Sequence, residues 1–279
     1  MRALGPVTDP APEPRDAQPA PLVLGVSLKL YLDVESTLQW SRAVSDLARS
    51  HPAVADGRVQ LFVLPSLPAL ADVRAAFAGT PVQVGAQDLF WEDRGAFTGA
   101  VSGADLKAVG CAFVEVGHAE RRALFGDDDE AVRLKLAAAL RNGLTPVLCL
   151  GETSRTDSAT AAARTVEELA SALAGLPPGP SQFDLVVAYE PQWAIGQAEA
   201  AAPEHVKAVI EELRARLSAD DRIRSASVLY GGSAQPGTLS ALAGKADGLF
   251  LGRFAHDPRR LALILDEADL LSDPHVSTG

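Results

Sequence analysis

Residues 185–196 read LVVAYEPQWAIG: four successive apolar positions, then Tyr189, then Glu190 where the apolar run stops. A strand with one wet face alternates apolar and polar residues. A strand apolar at every position is buried on both faces, as in a parallel sheet covered by helices. LFVL at 61–64 has the same character. Working outward, apolar runs recur at Leu22–Val26, Val59–Leu64, Val82–Ala86, Ala112–Val116, Pro146–Leu150, Leu185–Tyr189, Ser227–Tyr230 and Leu249–Leu251.

The segments between these runs have helical spacing. Trp40, Val44 and Leu47 share one helical face, as do Val132, Leu136 and Leu140, and then Val206, Ile210, Leu213 and Leu217. Asn142-Gly143 is suited to close one helix, and Pro203 to open another. Eight strands, each but the last followed by a helix and a further strand, define an α/β protein. That alternation fits a closed (β/α)₈ barrel over residues 21–272, and it fits an open doubly wound sheet equally well.

The 279 residues are 47% hydrophobic and 22% charged, ordinary values for a globular chain with a full core. No apolar stretch reaches the ~18 residues of a membrane helix. The first twenty residues, MRALGPVTDPAPEPRDAQPA, are expected to form a flexible Pro/Ala-rich tail, and 273–279 a short C-terminal one. That opening lacks the apolar core of a secretory signal, and Asp9, Glu13 and Asp16 are wrong for a transit peptide. A cytoplasmic location follows, and Cys111 and Cys149 are expected to be free thiols. The net charge of −11 disfavours nucleic-acid and anionic-membrane partners, while leaving room for a small anionic substrate in a locally positive pocket. No Cys/His spacing suggests a metal, and neither GxGxxG at the first βα turn nor GxxxxGK[ST] is present. Neither a metal nor a cofactor is expected.

Polar residues collect at the carboxyl ends of the apolar runs. Ser27 and Lys29 follow the first, Gln87 and Asp88 the third, and His118 and Glu120 the fourth. Cys149 and Glu152 lie at the fifth, Glu190 at the sixth, Gly231-Gly232-Ser233 at the seventh and Gly252-Arg253 at the eighth. In a barrel those ends form one mouth, which is where active sites are built.

Five segments in order, GAQDLFWEDRGAFTG (85–99), VGHAERRALFG (116–126), LRNGLTPVLCLGE (140–152), AYEPQWAIG (188–196) and YGGS (230–233), resemble the signature segments of triose-phosphate isomerases. The resemblance runs from about residue 22 to residue 270. It implies a single-domain (β/α)₈ TIM barrel, a small phosphorylated sugar as substrate, and a homodimer whose 87–99 loop brings Thr98 near the neighbouring active site.

The resemblance also implies roles. Glu190 matches the catalytic base, His118 the neutral electrophile, and Lys29 the cation that meets phosphate and developing negative charge. Glu120 matches the carboxylate that supports this lysine. Gly196, Ser233 and Gly252 match residues whose backbone N–H groups cradle phosphate. Cys149 is expected to be a packed neighbour of the site and no nucleophile.

The chain departs from the family pattern at several points. Ser27 stands for an asparagine, Ala119 for a serine, Arg253 for a glycine, and Ala100 for a glutamate that pairs across the dimer interface. Gln197-Ala198-Glu199-Ala200-Ala201 replaces the common hinge. The leading expectation is interconversion of dihydroxyacetone phosphate and glyceraldehyde 3-phosphate through an enediol(ate). The alternative keeps the chemistry on a four-carbon ketose phosphate, L-erythrulose 1-phosphate or D-erythrulose 4-phosphate, because serine for asparagine frees space over the substrate. The third possibility is a phosphometabolite-binding protein without turnover.

Overall fold

In a computed structural model that describes residues 20–176, 182–195 and 200–272, the apolar runs become eight parallel strands. They are β1 (Leu22–Ser27), β2 (Val59–Leu64), β3 (Gln83–Ala86), β4 (Phe113–Val116), β5 (Thr145–Leu150), β6 (Phe183–Tyr189), β7 (Ile223–Tyr230) and β8 (Gly248–Leu251). Each pairs with its sequence neighbours, and β8 returns to β1 with Val23 opposite Gly248. That last ladder closes the barrel and removes the open-sheet alternative. The expected tails fall on residues outside those described, apart from Ala20.

The LVVA run shows why both faces are apolar. Leu185 and Val187 pack outward with the helices, whereas Val186 and Ala188 point into the barrel. The interior is filled by Val23, Phe62, Leu64, Phe113, Val147, Leu229 and Phe250, among others. Phe62 stacks on Phe113 at 4.4 Å and lies 6.1 Å from Phe250. The barrel is therefore a packed core with its opening at the strand ends.

Strand bounds differ from the apolar runs by a residue or two, except at β7, which begins four residues earlier, at Ile223. Its first half, Ile223–Ser227, interrupts partly buried Ile223 and Ala226 with exposed Arg224 and Ser225, so an apolar run does not mark it. Ladder bonds to β6 and the Arg224–Asp184 ion pair hold it instead.

The expected helical caps form. Asn142 ends the helix Asp129–Arg141, with Gly143 next in the left-handed region, and Pro203 opens the helix Pro203–Ser218. Among the described residues no helix is long and apolar enough to cross a membrane.

Candidate active site

Alternation along a strand fixes which residues enter the mouth. With Val23, Val186 and Ala188 inward, Ser27 and Glu190 fall on the same parity, continuing the interior column upward. By that rule Phe113 and Glu115 on β4, and Val147 and Cys149 on β5, also face inward. The cavity at this end has a volume of about 260 Å³ and is lined by Ser27, Lys29, Glu190, Ser233, Gly252 and Arg253, among others. That is just below the ~300–1,000 Å³ of typical ligand pockets.

Glu190 is buried at the end of β6, its backbone N–H donating to Leu150 O at 2.7 Å. Its Oε2 makes no hydrogen bond and lies 3.5 Å from His118 Nε2. Burial, followed by the negative charge of Glu115, pushes its pKa up to about 8. A carboxylate that avid for protons, with a free inward oxygen, has the properties of a general base. Gly231 lies directly beneath it: a Cβ there would be 2.6 Å from Glu190 Cγ.

His118 caps the helix Ala119–Phe125. Gly117, at φ +76°, turns the chain from β4 into that helix. Imidazole Nδ1 accepts the Glu120 backbone N–H at 3.1 Å. The ring proton therefore resides on Nε2, which faces Glu190. Burial and then the Lys29 charge pull the His118 pKa down to about 4, so the ring is neutral near pH 7.

Lys29 occupies a left-handed backbone conformation, φ +49°, rare for a side chain of this kind. Gln87 Nε2 holds that turn by donating to Lys29 O at 3.0 Å and Leu64 O at 2.9 Å. The ammonium donates to Glu120 Oε1 at 2.7 Å. Burial acts to lower its pKa, but the Glu120 hydrogen bond and surrounding carboxylates outweigh burial and raise it.

On the opposite wall, Ser233 Oγ donates to Ala194 O at 2.9 Å. Gly252 precedes a short 3₁₀ turn, Arg253–His256, and Arg253 is exposed at the rim with its guanidinium 5.8 Å from the Tyr31 ring. Gly196 and Gln197–Glu199 lie outside the described residues. Residues on either side of them are anchored: Trp193 Nε1 donates to Glu152 at 2.8 Å, and the Ala201 N–H donates to Tyr230 Oη at 3.3 Å.

Ser27, Lys29, His118, Glu120, Glu190, Ser233, Gly252 and Arg253 thus converge on one mouth from five strand ends. Cys149 is buried beside them, and burial, followed by the Glu190 and Glu115 charges, raises its pKa far above the ordinary thiol value, so it is no nucleophile. Glu115 is the addition. Its side chain is 4% exposed, its Oε2 accepts the Ser27 hydroxyl at 3.0 Å, and burial raises its pKa to about 7. Sequence reading absorbed it into the apolar run 112–116. The available signal was parity: a carboxylate at the inward position of a strand buried on both faces.

The family model described as Triosephosphate isomerase matches residues 22–268. The chain is 50% identical over 251 residues to the L-erythrulose-1-phosphate isomerase of Pectobacterium atrosepticum, covering 90% of this chain and 97% of that one. It is 39% identical over 241 residues to the L-erythrulose-1-phosphate isomerase of Rhizobium etli, covering 83% and 86%. A triosephosphate isomerase of Roseiflexus sp. is 39% identical over 231 residues, covering 81% and 88%.

Proposed function

The chain belongs to the triosephosphate isomerase family, and from that premise we propose that it interconverts L-erythrulose 1-phosphate and D-erythrulose 4-phosphate without a cofactor. The carrying observation is the 50% identity, over nearly the whole of both chains, to a relative bearing that substrate's name. Other relatives stand lower and level with one another, at 39% and 38% for two named for L-erythrulose 1-phosphate and at 39% and 41% for two named for the triose. This reverses the preference for the triose drawn from sequence alone. Ser27 supports the change, since it is shorter than the family's asparagine.

The chemistry is one proton moved between adjacent carbons. Glu190 takes the proton from C3 of L-erythrulose 1-phosphate, and the C–H electron pair becomes the C2=C3 bond of an enediolate. Neutral His118 donates through Nε2 to the C2 oxygen, and the hydroxyl proton of O3 is returned to the imidazole. Glu190 then delivers its proton to C2, leaving the carbonyl on C3. Numbered from the other end, the product is D-erythrulose 4-phosphate. Atoms and charge balance with no external reductant or oxidant.

Lys29 faces the charge that develops on the substrate oxygens and helps hold phosphate, and Glu120 positions its ammonium. Backbone N–H groups at Ser233 and Gly252 form the rest of the phosphate cradle. Arg253 adds a cation at the rim.

The test is kcat/KM of the purified protein on L-erythrulose 1-phosphate and on dihydroxyacetone phosphate. We expect the four-carbon substrate to be favoured, with measurable triose activity, because one carbon unit discriminates by only ~1–3 kcal/mol. A clear preference for the triose phosphate overturns the four-carbon reading and restores the three-carbon one. Absence of turnover on both leaves the binding-protein alternative.

A further inference from the structure

Glu115 has no part in the proton transfer just described, yet it is a buried carboxylate at the floor of the mouth. Its position is informative. In an eight-stranded closed order, β4 stands diametrically across from β8. The phosphate cradle proposed above lies at the ends of β7 and β8, at Ser233 and Gly252. A short substrate with its phosphate there therefore directs its other end toward β4. Glu115 Oε1 is 3.9 Å from His118 Nε2, the group that addresses the substrate oxygens. It meets the cavity through Ser27, which lines the cavity and donates to Glu115 Oε2.

Its hydrogen bonding is incomplete for an ionised group. A carboxylate has about four acceptor positions. The donors recorded for Glu115 are the Ser27 hydroxyl at 3.0 Å and the Cys149 thiol at 3.9 Å, a long and weak contact. The nearby ammonium of Lys29 is engaged by Glu120. A carboxylate serving only the fold is ordinarily matched by a cation or several N–H donors, because burying it otherwise is costly. Ser27 reaches Glu115 across the barrel from β1, 88 residues away, so the two departures from an apolar floor form one unit.

We propose that Ser27 and Glu115 bind the terminal hydroxyl of the four-carbon substrate, with Glu115 as a specificity-determining residue. This rests on the four-carbon reading above. The hydroxyl on C4 of L-erythrulose 1-phosphate donates to Glu115 and accepts from the Ser27 hydroxyl when that group rotates, inserting itself into the direct Ser27–Glu115 bond. A triose phosphate carries a hydrogen where the fourth carbon attaches, and leaves the pair unused. A competing role for Glu115 is electrostatic, since its charge raises the basicity of Glu190. That effect acts on proton abstraction from either substrate and cancels in their ratio.

The experiment measures kcat/KM of the wild-type enzyme on L-erythrulose 1-phosphate, its 4-deoxy analogue and dihydroxyacetone phosphate, then repeats the set with Glu115→Val. A hydrogen bond to a charged group makes the wild-type preference for the hydroxylated substrate over the deoxy analogue about 10–10²-fold. Glu115→Val is expected to erase most of that preference and to lower the tetrulose-to-triose ratio by at least about tenfold. Equal wild-type rates on the hydroxylated and deoxy substrates overturn the proposal even if the variant does not fold. A folded Glu115→Val enzyme that keeps the wild-type ratio overturns it too. Wild-type enzyme inactive on L-erythrulose 1-phosphate overturns the four-carbon reading itself, and this assignment with it.

Discussion

Glu190→Asp withdraws the base by one methylene while leaving its charge. The structure gives the carboxylate no way to follow the substrate. The backbone at Glu190 is tied to β5 through Leu150 O at 2.7 Å, and Gly231 N–H donates to Tyr189 O at 2.8 Å on the other side. The side chain lies on the Gly231 backbone, where even one added carbon would sit 2.6 Å from Cγ. A carboxylate held between those ladders retreats by ~1–1.5 Å when one carbon is removed. Near-attack contact requires ~3–3.5 Å, and a misplacement of ~1 Å costs ~10²-fold. The expected loss in kcat is therefore ~10²–10³-fold, or ~3–4 kcal/mol of barrier. The proposed phosphate contacts at Lys29, Ser233 and Gly252 are untouched, so KM is expected to change by less than about threefold. Steady-state kcat and KM on the better substrate decide it, with circular dichroism confirming the fold. A kcat within tenfold of wild type would remove Glu190 from the role of base.

Four further outcomes are expected. Gly231→Ala drives its new Cβ against Glu190 Cγ and Oε1, at 2.6 and 2.9 Å in the unrelaxed geometry, and lowers kcat without loss of the phosphate cradle; an unchanged kcat would show that the base does not depend on this contact. Burial holds Glu190 and Glu115 near pKa values of about 8 and about 7, so kcat/KM rises with pH across that window as the pair loses protons, while His118, at about 4, stays neutral; a profile flat from pH 6.5 to 8.5 contradicts this. The same raised carboxylates make the folded state bind extra protons above the unfolded value of ~4.3, so their contribution to stability declines as pH rises toward 8, and Glu190→Gln raises Tm more at pH 8.5 than at pH 5. Finally, Leu30, Phe97, Leu124 and Phe125 are exposed, and a homodimer that covers them with Thr98 at the neighbouring mouth is expected; sedimentation at micromolar concentration that finds only the 29.1 kDa monomer refutes it.

The strands, and the polar residues gathered at their carboxyl ends, were legible in the sequence. LVVA and LFVL are apolar at every position because outward residues meet helices and inward residues meet the barrel core, and that double burial is written in composition. Glu190, His118 and Lys29 were legible because each ends a strand inside a recognisable motif. Residues 223–227 were not legible as strand, since ladder hydrogen bonds rather than apolar burial hold them. Periodicity was equally silent on barrel against open sheet, because it records what each strand buries and not which strands meet; the pairing of β8 with β1 decides that. The Ser27–Glu115 pair is the sharpest case. Parity along β4 turns Glu115 inward, but only closure brings it within 3.0 Å of a hydroxyl on β1. A hydrogen bond across a barrel depends on the diameter and stagger that all eight strands set together, which no local stretch of sequence encodes.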